Sequence, residues 1–353
     1  MAYTGIDDSS AFFQAETYTG TGANQTVTNS GNSDLQPDWL WIKNRGAGYA
    51  HALFDSNRGL GSSNPPMLES DSTAVENSNQ NWVSGVGSDS FTLGVSEHNI
   101  SNSGSTYVAY QWKCAGGTTS SNSAGDISST VQVNSTAGFS IVSYTGNFTA
   151  TQTVGHGLGV TPDLVIIKNR DTAVDWVVWS PQLSSGNFVR LNTTAAQSSS
   201  SRIYQSGFTS TTFGIGANNS VNKSGDDLIA YCFAEKQGYS KFGTYTGTGY
   251  GGANGPFIYT GFKPALVIVK NISGTTDWRM NGPDGVFLST NTTAAVYDSA
   301  PGPIDRVSNG FKIRGGDDLR ASGGNFIYLA WATNPFVTST GVPTTAGSTG
   351  PAT

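Results

Sequence analysis

Charge is scarce in this 353-residue chain: Asp, Glu, Lys and Arg make up 12% of it, about half the usual share. There are also only three histidines and two cysteines, and no apolar run approaches the roughly 20 residues that span a bilayer. Each shortage excludes something. With 18 Lys+Arg against 24 Asp+Glu and no basic cluster, the chain offers no surface on which phosphates would release their counterions, so no nucleic-acid partner is expected. Membrane insertion is not expected either. Cys114 and Cys232 cannot make a disulfide framework. Residues 1–8 carry neither a basic nor an apolar signal region. Synthesis in a reducing cytoplasm without a signal peptide is the expectation, with a hydroxyl-rich surface suited to work outside the cell.

What replaces charge is Ser, Thr, Asn and 45 glycines, together with 11% aromatics and many β-branched residues. Strong helix formers are few. Low net charge and evenly spread aromatics argue for a folded chain. The composition points to short strands joined by many turns.

Internal repeats organise the rest. Apolar runs begin at Pro37, Pro162 and Pro264 and end in Lys43-Asn44, Lys168-Asn169 and Lys270-Asn271. Tyr18, Tyr144 and Tyr245, each in a Tyr-Thr-Gly string, precede those lysines by 25, 24 and 25 residues. Further matches are the strands at 107–112, 228–233 and 326–331, and the Thr-Ala strings ending at Ala196 and Ala295, with a weaker echo at 68–74. The fold expected is all-β: three tandem β-sandwich units of roughly 100 residues, jelly-roll-like. Residues 1–114 form the first unit, 115–137 a Gly/Ser/Thr linker with one extra strand, 138–236 the second unit, 237–336 the third and 337–353 a flexible tail. The short second joint implies that the last two units form a tight pair. The Pro-to-Asn runs should be buried on both faces, and their recurring ends are read as structural rather than as a ligand site.

Few residues offer chemistry. His51, His98 and His156 have no second ligand at metal spacing, and His156 sits in a glycine turn. The glycine string at 247–252 lacks a following helix and P-loop lysine, so it reads as a hairpin turn. No nucleophile elbow is present. The carboxylate pairs Asp7-Asp8, Asp226-Asp227 and Asp317-Asp318, and Asp171 with Asp175, leave a loop-built calcium site open but show no EF-hand. No catalytic residue, cofactor or metal ligand is assigned. Most tryptophans fall in strands and are read as core. Trp82 and Trp278 lie beside polar residues and are the candidate exposed glycan contacts.

The string Gly31-Asn-Ser-Asp-Leu-Gln-Pro-Asp-Trp-Leu-Trp-Ile-Lys-Asn-Arg45, the strand at 107–113 and the segment Gly138-Phe-Ser-Ile-Val-Ser-Tyr-Thr-Gly146 carry a family resemblance. With 155–162, 236–247 and 334–341, they resemble a repeated domain of unknown function found in virion proteins of marine tailed phages, cyanophages included. The resemblance covers nearly the whole chain. It implies a non-enzymatic virion component, whether head decoration, collar or tail fibre, that joins other virion proteins and forms homo-oligomers, with trimers favoured for fibres. Host-surface glycans are a further expected partner. The alternative is a carbohydrate-binding module. A glycan depolymerase is the weakest reading, because no pair of carboxylates flanks a cleft.

Overall fold

Three proline-to-asparagine runs become the central strands of three sheets. The computed structural model describes residues 4–62, 64–78, 81–94, 97–249, 255–283, 285–296 and 302–335. The tail expected at 337–353 and part of the glycine string at 247–252 lie outside them.

The first segment contains β1 (Phe13–Thr19), β2 (Gln25–Thr28), β3 (Trp39–Asn44), β4 (Ala52–Asp55), β5 (Val83–Gly87), β6 (Ser90–Leu93) and β7 (Thr106–Trp112). Two short strands follow, β8 (Ser120–Asn122) and β9 (Ser129–Asn134). The second segment holds β10 (Phe139–Thr145), β11 (Gln152–Gly155), β12 (Leu164–Asn169), β13 (Val177–Trp179), β14 (Asn187–Arg190), β15 (Ser198–Ser199), β16 (Thr212–Ile215) and β17 (Asp227–Phe233). The third holds β18 (Ser240–Thr246), β19 (Phe257–Tyr259), β20 (Phe262–Asn271), β21 (Arg279–Asn281), β22 (Phe287–Ser289), β23 (Ile304–Val307), β24 (Gly310–Ile313) and β25 (Asn325–Pro335). Among the described residues helix is confined to single turns such as α1 (Asn219–Asn222) and α2 (Asp317–Arg320).

The fold is all-β, as the composition implied. One strand order occurs three times: β1-β7-β3-β4, β10-β17-β12-β13 and β18-β25-β20-β21, all antiparallel. Smaller sheets, β2-β6-β5, β11-β16 and β19-β24-β23, form the second layers. First strand beside last, and second beside last but one, follow the nested order of a jelly roll. The third strand then pairs with the fourth in its own sheet, where a jelly roll would cross to the other layer. Proline shapes one strand entry: β20 starts at Phe262, and its register shifts on either side of Pro264, as a residue without an N–H favours.

β3, β12 and β20 are buried along nearly their whole length and alternate between two cores. Leu40 and Ile42 face the interior of the first sandwich, Val165 and Ile167 the second, Val267 and Val269 the third. The intervening Trp39, Trp41, Leu164, Ile166, Leu266 and Ile268 all enter one shared core. The three sandwiches therefore pack their main sheets against each other.

Two expectations are corrected here. Residues 115–137 hold the extra strand, β9, but are more than a linker, because β9 pairs with β10 and a second strand, β8, with β9, extending the second main sheet to eight strands. The last two sandwiches are in direct contact, as the short joint implied, but they are not paired to the exclusion of the first, which contacts both. Joint length did not report this because those contacts come from loops far from the joints.

Candidate functional site

Each recurring lysine of the sequence lies at a junction between sandwiches. Lys43, Lys168 and Lys270 are fully buried. Their ammonium groups donate to the carbonyl six residues on: Tyr49 at 2.8 Å, Val174 at 2.9 Å and Thr276 at 2.6 Å. Each also donates to a carbonyl of the neighbouring sandwich. Lys43 reaches Thr293 at 2.9 Å, Lys168 reaches Thr73 at 3.0 Å and Lys270 reaches Thr194 at 2.8 Å. The order is cyclic, first to third, second to first, third to second. Burial pulls each ammonium down to about 8, opposed by Asp71, by Asp175, and by Asp277 with Asp318.

The residue eight positions after each lysine repeats the pattern. The Trp176 indole donates to Glu69 O and the Trp278 indole to Arg190 O, each at 2.8 Å. In the first sandwich this place is taken by His51, whose Nε2 faces Ser289 O at 3.0 Å. Its Nδ1 accepts the Trp41 indole N–H at 2.8 Å, which assigns the proton to Nε2. Where the first sandwich pairs Trp41 with His51, the others pair Ile166 with Trp176 and Ile268 with Trp278, so bulk is exchanged between the two positions. Burial, then the Lys43 charge, pushes His51 down to about 3. Backbone bonds complete each junction: Glu76 N to Arg170 O, Gln197 N to Ile272 O and Val296 N to Arg45 O.

Matched residues also meet at the centre. Trp112 and Phe233, the last residues of β7 and β17, meet Trp331 of β25, with ring centroids 5.3 to 6.5 Å apart. Ser70, Leu191 and Thr290 form a second meeting point: Ser70 Oγ donates to Thr290 O and Thr290 Oγ1 to Leu191 O, at 2.7 and 3.5 Å. The ring is closed around a filled centre.

The first and second sandwiches share an added buried network. Arg58 contacts Asp55 at 2.6 Å and Glu76 at 3.0 Å, Arg170 contacts Glu76 at 2.8 Å, and the Tyr231 hydroxyl donates to Asp55 at 2.7 Å. Burial alone would lower the Arg58 pKa, but Asp55, Tyr231 and Glu76 raise it.

The other recurring residues hold each sandwich together. The Tyr18, Tyr144 and Tyr245 hydroxyls donate to Ile100 O, Val221 O and Leu319 O. The Asn44, Asn169 and Asn271 side chains accept backbone N–H groups two or three residues on, turning the chain out of its strand. Pro37, Pro162 and Pro264 are buried at the strand entries. Two other candidates are corrected: Trp82 is 3% exposed and Trp278 fully buried. Trp82 packs on Phe54 in the first core, so neither ring meets solvent. Their polar sequence neighbours are not their spatial ones.

Several other candidate residues bond within the chain. His156 is buried in its turn, accepting the Leu158 N–H on Nδ1. Asp8 caps Ser10, Asp226 accepts from Asn169 and Thr172, and Asp318 pairs with Arg279; the side chain of Asp317 lies outside the described ones. Among the described residues no three or more His, Cys, Asp or Glu gather at metal distance. A cleft of about 360 Å³ lies between β1 and β20. The Gln14 amide on its wall donates to Ser10 O and Ser33 O, and Glu16 accepts from Ser30.

A family model described as a domain of unknown function (DUF7483) matches residues 8–335. No curated protein and no solved structure matches the chain.

Proposed function

The chain belongs to this family, DUF7483, and we propose that it is a non-enzymatic structural component of a tailed-phage virion, a capsid decoration or a tail or collar appendage. The closed ring of three sandwiches carries this reading. Its junction lysines, indoles and backbone groups are spent on holding one body with a filled centre, which suits a building block better than a catalyst that must open to substrate. The phage-like strings support it as well, since 31–45 and 138–146 supply β3 and β10 of the shared core. The threefold character expected of an appendage is carried within one chain, and copies are arrayed by the symmetry of the particle. The chain is made in the host cytoplasm and works in the virion. Cryo-EM of intact particles tests this: density for the ring should recur at regular lattice or tail positions. Purified particles that lack the chain would refute it.

Saccharide recognition is a second reading. It loses Trp82 and Trp278, but exposed aromatics on the third sandwich speak for it.

A further inference from the structure

We infer that the outer face of the sheet β19-β24-β23 is a saccharide-binding surface, with Phe257 and Tyr259 as its stacking platform. Phe257 is 47% exposed, Tyr259 57% and Val307 36%. Their positions follow from register. Ile258 pairs with Phe311 and points inward, so Phe257 and Tyr259 point out, beside Lys312 and Gly310 respectively, and Val307 flanks Gly310 on the far side. The Cα positions that carry the two rings lie about 6.7 Å apart along the strand, two residue rises.

The fold itself does not require these rings. The inward residues Val27, Val154 and Ile258 pair with Phe91, Phe213 and Phe311 in the three small sheets. The outward neighbours are Thr26 and Thr28 in the first and Thr153 and Gly155 in the second. Only the third sandwich places aromatics there. A Cβ on Gly310 would meet the Phe257 ring at 3.2 Å and crowd the Ile258 carbonyl, so glycine lets that ring lie down along the sheet. Ile258, Ile304, Phe311 and Ile313 back the face from the core, which makes the platform rigid.

The size of the patch selects the occupant. Two rings and a valine present a few hundred Å², short of the ~800 Å² per partner of a stable protein interface. A pyranose needs only an apolar C–H face to lie on a ring and hydrogen bonds at its rim. The rim supplies them: Lys312, held by Gly255 O at 3.1 Å, Arg314 paired with Asp305, and the Ser308-Asn309 turn. This extends the proposed role from particle component to attachment, yet it stands or falls on the isolated chain.

The test is a bacterial surface polysaccharide array probed with the purified full chain, then saturation-transfer NMR on the strongest array ligand. We expect array binding, transfer from aromatic protons to pyranose C–H protons, and at least tenfold weaker binding by the Phe257→Thr/Tyr259→Thr double variant at unchanged melting temperature. Threonine stands at both places in the first sandwich and at the Phe257 place in the second, so folding should be retained; if the pair unfolds, the single variants are read instead. Absence of array binding, or binding that survives the substitutions, would overturn the inference while leaving the virion role to its own test.

Discussion

The ammonium of Lys168 lies 3.0 Å from the carbonyl oxygen of Thr73, a residue 95 positions earlier and on another sandwich. Lys168→Met keeps the buried stem but leaves the carbonyls of Thr73 and Val174 without their donor. Urea unfolding should show a loss of about 1–3 kcal/mol, the usual cost of an unsatisfied partly buried acceptor. The transition should stay single, because the bond belongs to the whole ring.

Arg58 is a sharper case, because its partners are charged and buried. Arg58→Met leaves the buried Asp55 carboxylate with the Tyr231 hydroxyl but no cation, while Glu76 keeps Arg170, and about 3–5 kcal/mol should be lost in the same measurement. Adding Asp55→Asn should recover part of this, which a double-mutant cycle would read as coupling.

Acid should loosen the seam between the first and third sandwiches through His51. Its folded pKa lies near 3, below the unfolded value of 6.5. Its contribution is therefore fully present above pH 6.5 and is lost as pH falls towards 3. The expected slope is about 1.4 kcal/mol per pH unit for this group. His156, also lowered by burial, adds in the same sense. Glu69 and Asp71, raised by burial, oppose it only near the carboxylate range. His51→Gln should flatten the stability profile between pH 6.5 and 4.5.

At the central triangle, Trp331→Phe restores the ring type found at the matched Phe233. It removes an indole N–H that reaches no acceptor among the described residues. It should cost under about 2 kcal/mol, whereas Trp331→Ala should cost about 3–5. Thermal melts of the two variants check the contrast.

A fragment of residues 120–236 retains its own sandwich core but exposes Phe139, Leu164, Ile166, Tyr231 and Phe233, all members of the shared core. Calorimetry should find no cooperative unfolding of the isolated fragment, in contrast to the full chain.

Much of the frame was legible because the repeated strands carry identical ends. Pro37, Lys43 and Asn44 with their counterparts mark strand entry and exit, and an unbroken apolar run told of burial on both faces. What buried the second face was not readable, since it belongs to another sandwich. The weak echo at 68–74 was the overlooked signal: Thr73 matches Thr194 and Thr293, and these supply the junction carbonyls. Trp278 could have been placed by its distance from Lys270, the same as that of Trp176 from Lys168; its polar sequence neighbours outweighed that match. Phe257 and Tyr259 lay outside the repeated markers, and exposure is a property of the fold rather than of the residue.

The peptide chain passes through two of the three junctions; the third, between last sandwich and first, has no covalent tether. There Lys43 with Thr293, His51 with Ser289 and Val296 with Arg45 act as a clasp, and Phe13 at the head of the first sheet lies 6.2 Å from Trp331 near the end of the last. A pull that draws these two strands apart loads the clasp and its several bonds together rather than in sequence. Loaded together, the bonds resist better than they would one at a time, but with no peptide link behind them this seam is the point at which the ring would yield under mechanical force.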